Sequence, residues 1–350
     1  MKIEELYLWY KQCTGITTDT RNVKEGCMFF ALKGEKFNGN LFAADALKSG
    51  AKYVVVDEQI QHFDYDLEQV VIVDDVLKAM QQLGLYHRQQ VGCKVIALTG
   101  SNGKTTTKEL MAAVLSTTFK THFTKGNLNN HIGIPLTLME MPADTEITVV
   151  EMGANHQLEI KGYCDYVEPD YGLITNVGKA HLEGFGGEEG VVKGKTELYE
   201  YIGRKGGVLF VNDRSEKLIE RAFAFSVADK IVFYGEKRDA FVSGTIVRKN
   251  ECLNIELSDE VNVQTQLVGD YNFDNAMAAI CVGKYFGIGE EVMVKALEEY
   301  VPSNNRSQKI VLGTNTIILD AYNANPSSMQ EALKNFELLD AKNKMVVLGE

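Results

Sequence analysis

The chain has 350 residues, of which 45% are hydrophobic, and its 48 acidic and 36 basic side chains give a formal net charge of −12. This composition is typical of a globular protein with two or three domains. The negative charge argues against nucleic acid as a general partner. It also means that phosphate binding would need lysines and arginines placed locally.

The spacing of the cysteines and the length of the hydrophobic runs indicate the cell compartment in which the protein is expected. The six cysteines form no C-x-x-C pair, which favours reduced thiols over a disulfide framework or a zinc site. No hydrophobic run approaches the ~18 residues of a membrane span, and the N-terminal segment carries charges too early for a signal peptide. We therefore expect a cytoplasmic protein without a membrane span.

Short apolar strands alternate with helical stretches in a first block, residues 1–90. Strands are predicted at residues 27–32, 53–56 and 70–73, and helices at residues 40–51 and 76–90. Such alternation predicts a small α/β domain.

A glycine-rich turn opens a second block, residues 91–302. An apolar run at residues 95–98 predicts a strand, Gly100 and Gly103 allow a tight turn, and a helical stretch begins after Lys104 and Thr105. Strand, turn and helix in this order form a phosphate cradle, in which the lysine reaches a β- or γ-phosphate and the threonine hydroxyl binds Mg²⁺. The alternative is an ordinary strand–turn–helix with a chance Gly-Lys-Thr.

The rest of the second block predicts a mostly parallel sheet. Further strands are predicted at residues 147–153, 171–178, 207–213 and 230–235, followed by a β-rich stretch at residues 241–269 and a helix near residue 272. Parallel α/β sheets bind ligands at the C-terminal ends of their strands, and several of these strands end in polar residues.

A third block, residues 303–350, predicts a strand at residues 316–325, then a helix, then a strand at residues 344–350. A complete domain needs roughly 100 residues. We therefore expect this block to be the beginning of a domain that continues beyond Glu350.

Two polar residues at strand ends are candidates for metal or ligand binding. Glu151 ends an apolar strand, and an acid at the tip of a strand beside a phosphate cradle commonly contacts Mg²⁺. The alternative for Glu151 is a solvated carboxylate at the end of a strand. His181 follows another strand and glycine turn, where a structural hydrogen bond is the alternative to a ligand role.

Three further groups of residues have either a structural or a functional role. Lys193 and Lys195 lie on a predicted helix, either on a solvated cationic face or at a site. Asn272 and Asn275 start a helix and would either cap it or contact a ligand. The loop that contains Asn127, Asn129 and Asn130 is either a plain loop or a substrate contact.

Two broad functions remain at this point. The first is an ATP-dependent enzyme that activates a carboxylate or drives a transfer. The second is a switch or binding module of the GTPase type. The sequence contains no N-K-x-D guanine motif, which favours ATP.

The motif series resembles that of the Mur ligases, in the family's order and at similar spacing. The segments that carry the resemblance are TGSNGKTT, GNLNNHIGIPLTL, VVEMGAN, NVGKAHLEGFG, KGKTELY, GDYNFDNAMAA and DAYNANPSSM. The segment TTDTRNVKEGCMFFALKGEKFNG resembles the family's N-terminal uridine-nucleotide domain. The asparagine-rich segments are most similar to the members that add D-alanyl-D-alanine.

The resemblance implies a fold and a reaction. The fold is α/β, with a small N-terminal uridine-nucleotide domain, a central P-loop ATPase domain and the start of a Rossmann-like C-terminal domain. The reaction joins D-alanyl-D-alanine to UDP-N-acetylmuramoyl-tripeptide through an acyl phosphate, with ATP and two Mg²⁺ ions, in a monomer. The alternatives are a sister ligase that adds a single amino acid, folylpolyglutamate synthetase, or a non-catalytic sensor of UDP-muramoyl peptides.

The resemblance also implies roles for individual residues. ATP would be bound by Thr99, Gly100, Ser101, Asn102, Gly103, Lys104, Thr105, Thr106, Asn275 at the adenine, Arg306 at the γ-phosphate and Asp320 at the ribose. The metal would be held by Thr105, Glu151, His181 and Lys195, with Lys195 carbamylated, and the catalytic residues would be Lys104, His181, Lys195 and Arg306. The UDP-muramoyl peptide would contact Thr20, Arg21, Asn38, Asn129 and Asn130.

The sequence departs from the family pattern at three positions. Leu158 stands where the family usually has glycine, so we expect a different backbone there. Asn38 and Asn40 stand where aspartate and histidine are expected. These departures affect the details of substrate contact and leave the reaction class unchanged.

Overall fold

The structure is a computed structural model that describes residues 2–58, 67–179, 181–247, 252–258, 260–303, 305–322 and 324–349. The chain divides into two compact units. Unit 1 contains residues 1–97, 119–154 and 158–170, and unit 2 contains residues 98–118, 155–157 and 171–350. Helices alternate with parallel strands in both units, which confirms the α/β class. The domain limits near residues 90 and 302 stay a prediction.

The elements in the described residues follow in chain order. The helices are α1 (Ile3–Tyr10), α2 (Ala43–Lys48), α3 (Val76–Val91), α4 (Lys104–Leu115), α5 (Gly133–Met139), α6 (Glu159–Val167), α7 (Leu182–Phe185), α8 (Glu188–Lys205), α9 (Glu216–Phe225), α10 (Phe273–Tyr285), α11 (Glu290–Glu299) and α12 (Pro326–Leu338). The strands are β1 (Ile16–Thr17), β2 (Met28–Phe30), β3 (Lys33–Gly34), β4 (Phe37–Asn38), β5 (Tyr53–Val56), β6 (Val70–Ile72), β7 (Lys94–Thr99), β8 (Thr121–Phe123), β9 (Ile147–Glu151), β10 (Tyr171–Ile174), β11 (Val208–Asn212), β12 (Ile231–Gly235), β13 (Val242–Ile246), β14 (Cys252–Leu257), β15 (Asn262–Val268), β16 (Gln308–Leu312) and β17 (Asn315–Leu319).

Unit 1 contains a four-stranded parallel sheet with the order β1-β2-β5-β6. Successive side chains of a strand point to opposite faces, so Met28 and Phe30 pack on one face of the sheet and Phe29 on the other. The first face is covered by α1 and α3, and the second by α2. The nearly continuous apolar run of β2 therefore reflects burial on both faces, as is usual for parallel sheets.

Helix α3 begins and ends at signals that are visible in the sequence. The Asp75 side chain caps its N-terminus by accepting a hydrogen bond from Lys78 N at 2.9 Å. Gly92 ends the helix in a left-handed conformation with φ 67°. The predicted helix at residues 76–90 is confirmed.

Unit 1 also contains the parallel pair β8–β9, with the first residues of β7 beside β9. The carboxyl end of β9 is Glu151. Unit 2 contains the last two residues of β7 beside β10, where Thr175 N donates to Thr99 O at 2.9 Å. Two turns of unit 2, those after β7 and β10, therefore lie side by side.

The remaining strands of unit 2 confirm the predicted sheet. Strands β10, β11, β12 and β13 are parallel neighbours in that order. Strands β14 and β15 continue the sheet in antiparallel orientation and form the predicted β-rich stretch. Helix α10 packs against α4, which starts at the glycine-rich turn.

The C-terminal segment of unit 2 differs in part from the prediction. Strands β16 and β17 form an antiparallel hairpin, and α12 follows with Asn325 as its N-cap and Pro326 as its first residue. The predicted strand at residues 344–350 is wrong for its described part, because residues 344–349 pair with no strand there. An apolar sequence alone makes no strand, since a strand needs a hydrogen-bonded neighbour.

Among the helices that the structure describes, none has both the length and the hydrophobicity needed to cross a bilayer.

Candidate functional site

The glycine-rich turn between β7 and α4 has the geometry of a phosphate loop. Gly100 has φ 149° and Gly103 has φ 78°, and both conformations are strained for other residues. A Cβ atom at Gly100 would also collide with Thr175 Oγ1, and one at Gly103 with Asn275 Oδ1. The glycines are therefore required both by the turn and by its close neighbours.

The N-terminus of α4 is left open for an anion. No side chain caps this helix, and its first turn contains no acidic residue. The first N–H groups of a helix lack partners within the helix and carry a partial positive charge, so such an end binds phosphate well.

The predicted ATP-binding residues of the loop lie together. Lys104 Nζ donates to Gly100 O at 2.8 Å and to Ser101 O at 3.3 Å, so the ammonium group lies over the loop. Thr105 and Thr106 are buried in the first turn of α4, and Thr99 is buried at the end of β7. The loop thus presents a lysine and a threonine hydroxyl at a helix N-terminus, as predicted.

Residues after β10 hold the phosphate loop in shape. Thr175 Oγ1 donates to Asn102 O at 2.6 Å, and Asn102 N donates to Asn176 Oδ1 at 3.0 Å. Ser101 N donates to Asn176 O, and Ser101 Oγ bonds the backbone of Gly178. The sequence analysis missed Thr175 and Asn176, although their place directly after an apolar strand was a signal for them.

The two asparagines at the start of α10 do not cap it. Asn275 Oδ1 accepts from Thr107 Oγ1 at 2.9 Å, and Asn275 Nδ2 donates to Asn272 Oδ1 at 2.9 Å. Asn272 Nδ2 donates to Val268 O at 2.9 Å and to Ser307 Oγ at 3.1 Å. The capping alternative is therefore wrong, since these buried amides connect α10 to α4 and to the segment after residue 300. The adenine role of Asn275 stays a prediction.

Arg306 lies between two residues in the left-handed conformation, Asn305 with φ 57° and Ser307 with φ 50°. Non-glycine residues adopt this conformation at a cost and are enriched at functional sites. The Arg306 guanidinium stacks on Tyr322, 3.8 Å from the ring centroid. This stacking fixes the plane of the guanidinium, and the sequence analysis did not anticipate Tyr322.

Asp320, the predicted ribose contact, lies near Arg306 in the same segment. Burial raises the pKa of Asp320, against the opposing effects of a backbone hydrogen bond from Ser307 and the Arg306 charge. Tyr271 OH bonds Ser307 Oγ at 2.7 Å and lies 3.5 Å from Asp320 Oδ2. Tyr271 therefore links Asp320 to Ser307, the residue after Arg306, and the sequence analysis did not single out this tyrosine.

Lys195 is buried, with only 2% of its surface exposed, in the middle of α8. Its ammonium nitrogen lies 5.0 Å from the centroid of the Phe185 ring, at the end of α7. The solvated-face alternative is thus wrong for Lys195, although it holds for the exposed Lys193.

His181 immediately precedes α7 and, like Asn305 and Ser307, has a left-handed backbone, with φ 54°. It belongs to unit 2, as does Lys195. Gly194 allows α7 to approach α8, because a Cβ at this position would lie 2.5 Å from the Phe185 ring. The short helix after His181 is therefore packed directly on the helix that carries Lys195.

Glu151 and Asn129, predicted from separate motifs, are partners in unit 1. Asn129 Nδ2 donates to Glu151 Oε1 at 2.7 Å. Glu151 is 1% exposed, and its backbone N donates to Thr124 Oγ1 at 3.0 Å. The solvated alternative for Glu151 is wrong. Asn130 is exposed, and its Oδ1 accepts from the backbone N of Ile132 and Gly133 at the start of α5.

The predicted uridine-nucleotide residues Thr20 and Arg21 lie in a short 3₁₀ turn that is capped by Asp19. The exposed Arg21 guanidinium is bidentate on Asp19, with the closest N–O distance at 2.6 Å. These hydrogen bonds lower the pKa of Asp19 to about 2. Arg21 is thereby held in one orientation at the surface.

The departures at Asn38 and Asn40 form one network with two acids. Asn38 Nδ2 donates to Glu58 Oε2 at 2.8 Å, and the Asn40 amide bonds Asp57 through its Nδ2 and Oδ1. An aspartate at position 38 would face the Glu58 carboxylate. Burial would raise the pKa of Asp57, but hydrogen bonds from Lys33, Asn40 and a backbone N–H outweigh it and lower that pKa. The amide at position 38 therefore suits the acid at position 58.

The third departure from the family pattern, Leu158, lies at the N-terminus of α6. Leu158 has φ 70° and ψ −5°, the left-handed conformation that a glycine adopts without strain. The leucine lies at the start of α6 with 66% of its surface exposed. The expected difference from the family's backbone stays a prediction.

These features define a P-loop nucleotide-binding protein with an α/β fold. Two family models match the chain: one described as the Mur ligase middle domain over residues 98–283, and one described as the Mur ligase family, catalytic domain, over residues 12–88. The chain belongs to the Mur ligase family.

Individual relatives agree with this assignment. The chain is 37% identical over 339 residues to the UDP-N-acetylmuramoyl-tripeptide–D-alanyl-D-alanine ligase of Bacillus subtilis, covering 96% of this chain and 73% of that protein. It is 35% identical to the Escherichia coli protein of the same name, covering 91% and 71%. Crystal structure I of MurF from Acinetobacter baumannii has a TM-score of 0.84 at 33% identity, covering 97% of this chain and 77% of that one.

Proposed function

We propose that this chain is an ATP-dependent ligase of peptidoglycan precursor synthesis. It joins D-alanyl-D-alanine to UDP-N-acetylmuramoyl-tripeptide and releases ADP and phosphate. The observation that carries this proposal is the uncapped phosphate loop in a chain 37% identical to a ligase of that name. A sister ligase that adds a single amino acid is less favoured, because the Bacillus subtilis and Escherichia coli relatives both carry the D-alanyl-D-alanine name.

The reaction has two bond exchanges. A carboxylate oxygen of the tripeptide attacks the γ-phosphorus of ATP, and the bond from that phosphorus to the ADP oxygen breaks. The amine of D-alanyl-D-alanine then attacks the acyl carbon, and the carbon–oxygen bond to phosphate breaks. The amine must attack in its neutral form, so one proton leaves the nitrogen as the amide forms.

The main obstacle in the first exchange is repulsion between two anions. Lys104 and the α4 N-terminus supply positive charge at the phosphates, and Arg306 supplies a second cation. We assign the γ-phosphate to Lys104 and Arg306, the adenine to Asn275 and the ribose to Asp320. The support for Arg306 and Asp320 is their common neighbourhood with Tyr271 and Tyr322.

We propose that Mg²⁺ is held by Thr105, Glu151, His181 and a carbamylated Lys195. The described residues contain no cluster of three His, Cys, Asp or Glu side chains suited to a metal. The donor set nevertheless fits Mg²⁺, which is usually held by one or two carboxylates together with substrate phosphates. A carbamate on Lys195, which is buried in α8, would supply such a carboxylate. When bound, the ion would neutralise charge that develops on the phosphoryl oxygens.

We assign the UDP-muramoyl peptide to unit 1. The assigned residues are Thr20, Arg21 and Asn38 for the uridine nucleotide, and Asn129 and Asn130 for the muramoyl peptide. The bond from Asn129 to Glu151 supports a link between peptide binding and the proposed metal ligand.

We also propose a monomer in the cytoplasm, with three domains divided near residues 90 and 302. The support for the location is that all six cysteines are free thiols.

The test measures phosphate release from ATP by this chain with UDP-N-acetylmuramoyl-tripeptide and a panel of acceptors. We expect release that requires the tripeptide and is fastest with D-alanyl-D-alanine. Equal or faster release with single amino acids would favour the sister ligase. Tight binding of the tripeptide without release under any condition would favour the sensor.

A further inference from the structure

Asn102 at the apex of the phosphate loop is held on two sides. Its backbone accepts hydrogen bonds from Thr175 Oγ1 and Asn176 Nδ2, and its backbone N donates to Asn176 Oδ1. The backbone of this residue is therefore fixed by the end of β10. Its side chain takes no part in these three bonds.

The side chain of Asn102 bonds the N-terminus of α12, which lies 223 residues further along the chain. Asn325 Nδ2 donates to Asn102 Oδ1 at 2.8 Å. Asn102 Nδ2 donates to Ser327 Oγ at 3.0 Å. Both hydrogen-bonding groups of the amide are thus directed at the first turn of one helix.

Capping of α12 does not explain this contact. The cap consists of the bond from Ser328 N to Asn325 Oδ1 at 2.9 Å and the bond from Asn325 N to Ser328 Oγ at 3.1 Å. A serine or aspartate at position 325 would serve equally well as an N-cap. The Asn325 Nδ2 group is not needed for the cap, and it is the group that reaches the phosphate loop.

We propose that Asn102, Asn325 and Ser327 form a latch that positions α12 and the segment before it against the phosphate loop. That segment contains Asp320 and Tyr322, and Arg306 stacks on Tyr322. The latch therefore sets the position of the proposed γ-phosphate and ribose contacts relative to Lys104. These are positioning residues, and their role rests on the proposed function.

Single and double variants of this chain test the latch. Asn102→Ala removes the loop side of the contact. Asn325→Ser keeps a good N-cap but is too short to reach Asn102. Gln330→Ala, an exposed amide on the same helix, is the matched control.

The first measurement is ligation kinetics with a thermal unfolding midpoint for each variant. We expect Asn102→Ala and Asn325→Ser each to lower kcat about tenfold, the effect of losing one or two hydrogen bonds. The KM for the UDP-linked substrate should stay within about twofold, since that substrate is assigned to unit 1. The unfolding midpoint should fall by about 2–4 °C at most, the effect of losing one or two hydrogen bonds. The double variant should be no slower than the slower single variant, because both remove the same contact. Losses that multiply in the double variant, or an equal loss in Gln330→Ala, would overturn the latch.

The second measurement separates the latch from the proposed function. Hydrogen–deuterium exchange of peptides that cover residues 324–338 is followed with and without a non-hydrolysable ATP analogue. In both latch variants we expect faster exchange at the start of α12 than in the parent chain, whether or not the chain ligates. Exchange unchanged in both variants would overturn the latch, whereas an inactive parent chain with altered exchange would overturn only the proposed function.

Discussion

A lysine on a long helix is normally exposed, so the burial of Lys195 needs a cause. It lies against Phe185, and its neighbour Lys193 on the same helix remains in solvent. Lysine is rarely buried to this degree unless its position has a role. Conversion to a carbamate beside a cation would give this position a function.

Lys195→Ala tests that role at the residue scale. We expect a loss of turnover of about a hundredfold, as for other groups that hold or support a metal. Short carboxylates such as formate or acetate should partly restore turnover by taking the place of the carbamate. Lys193→Ala is the matched control and should retain full activity. An Lys195→Ala variant with near-normal turnover would contradict the assignment.

Lys104→Ala tests the phosphate loop. The variant loses the charge closest to the loop carbonyls, so turnover should fall about a hundredfold to a thousandfold, as for other groups that stabilise a developing anion. Lys179→Ala removes an exposed lysine of the same unit and serves as the control. Steady-state ligation kinetics measure both variants, and equal activities would exclude the cradle assignment.

Leu158→Gly tests whether the left-handed backbone is strained. The side chain is mostly exposed, so its loss removes little burial, while the left-handed conformation costs a leucine about 1 kcal/mol relative to glycine. The free energy of unfolding should therefore rise by about 1 kcal/mol in urea denaturation. Leu8→Gly, the same substitution at an exposed position inside α1, should lower it by a similar amount. A loss of stability in Leu158→Gly would show that the leucine makes a contact worth more than the strain.

At the scale of elements, the contact between α7 and α8 depends on one glycine. A methyl group at Gly194 would collide with the Phe185 ring, whereas one at Gly162 in α6 would meet nothing within 4 Å. Gly194→Ala should lower the free energy of unfolding by about 1–3 kcal/mol through overpacking and should also reduce turnover, because Lys195 is the next residue. Gly162→Ala should raise it by about 0.5–1 kcal/mol. A change of the same sign in both variants, or a gain for Gly194→Ala and a loss for Gly162→Ala, would contradict this packing in urea denaturation.

The elements themselves were largely predictable from the sequence. Strand β5 was predicted at its observed limits, and α3 to within a residue, because the hydrophobic period is a local property of the sequence. The strand at residues 344–350 failed because pairing with a neighbour is not a local property.

The site was predictable in its residue types and less so in its contacts. Glu151 and Lys195 were identified as candidates, but their burial depends on partners far away in the sequence. The side chains that support the phosphate loop, Thr175, Asn176 and Asn325, were missed for the same reason. Asn272 looked like a helix cap, and only the structure shows its amide directed at Val268 and Ser307.

At the scale of the whole molecule, the buried His87 and the half-buried His122 predict how stability depends on pH. Burial lowers the pKa of His87, which bonds Tyr7 OH and Met141 O, and it lowers the pKa of His122, which bonds Thr137 O. Below pH ~6.5 the unfolded chain therefore binds protons that the folded chain does not.

The free energy of unfolding should therefore decrease as the pH falls through ~6.5 towards the lowered pKa values of the two histidines. Above ~7.5 their contribution to stability should be fully present. Urea denaturation at a series of pH values up to ~7.5 measures this change in the free energy of unfolding. His122→Gln should flatten the dependence, since glutamine can donate to Thr137 O without titrating. His131→Gln, at an exposed position, should leave it unchanged. A parent chain with no pH dependence in this interval would contradict the burial of neutral histidines.

In the proposed reaction, the tripeptide carboxylate attacks the γ-phosphate of ATP, and its acyl group becomes part of the new amide. Labelling both oxygens of that carboxylate with ¹⁸O tests it directly, because one oxygen must pass to phosphate and the other must stay in the product. With D-alanyl-D-alanine, ATP and Mg²⁺, we expect one ¹⁸O in each phosphate released and one in the new amide by mass spectrometry. Phosphate without ¹⁸O, or a product that keeps both labels, would contradict the account.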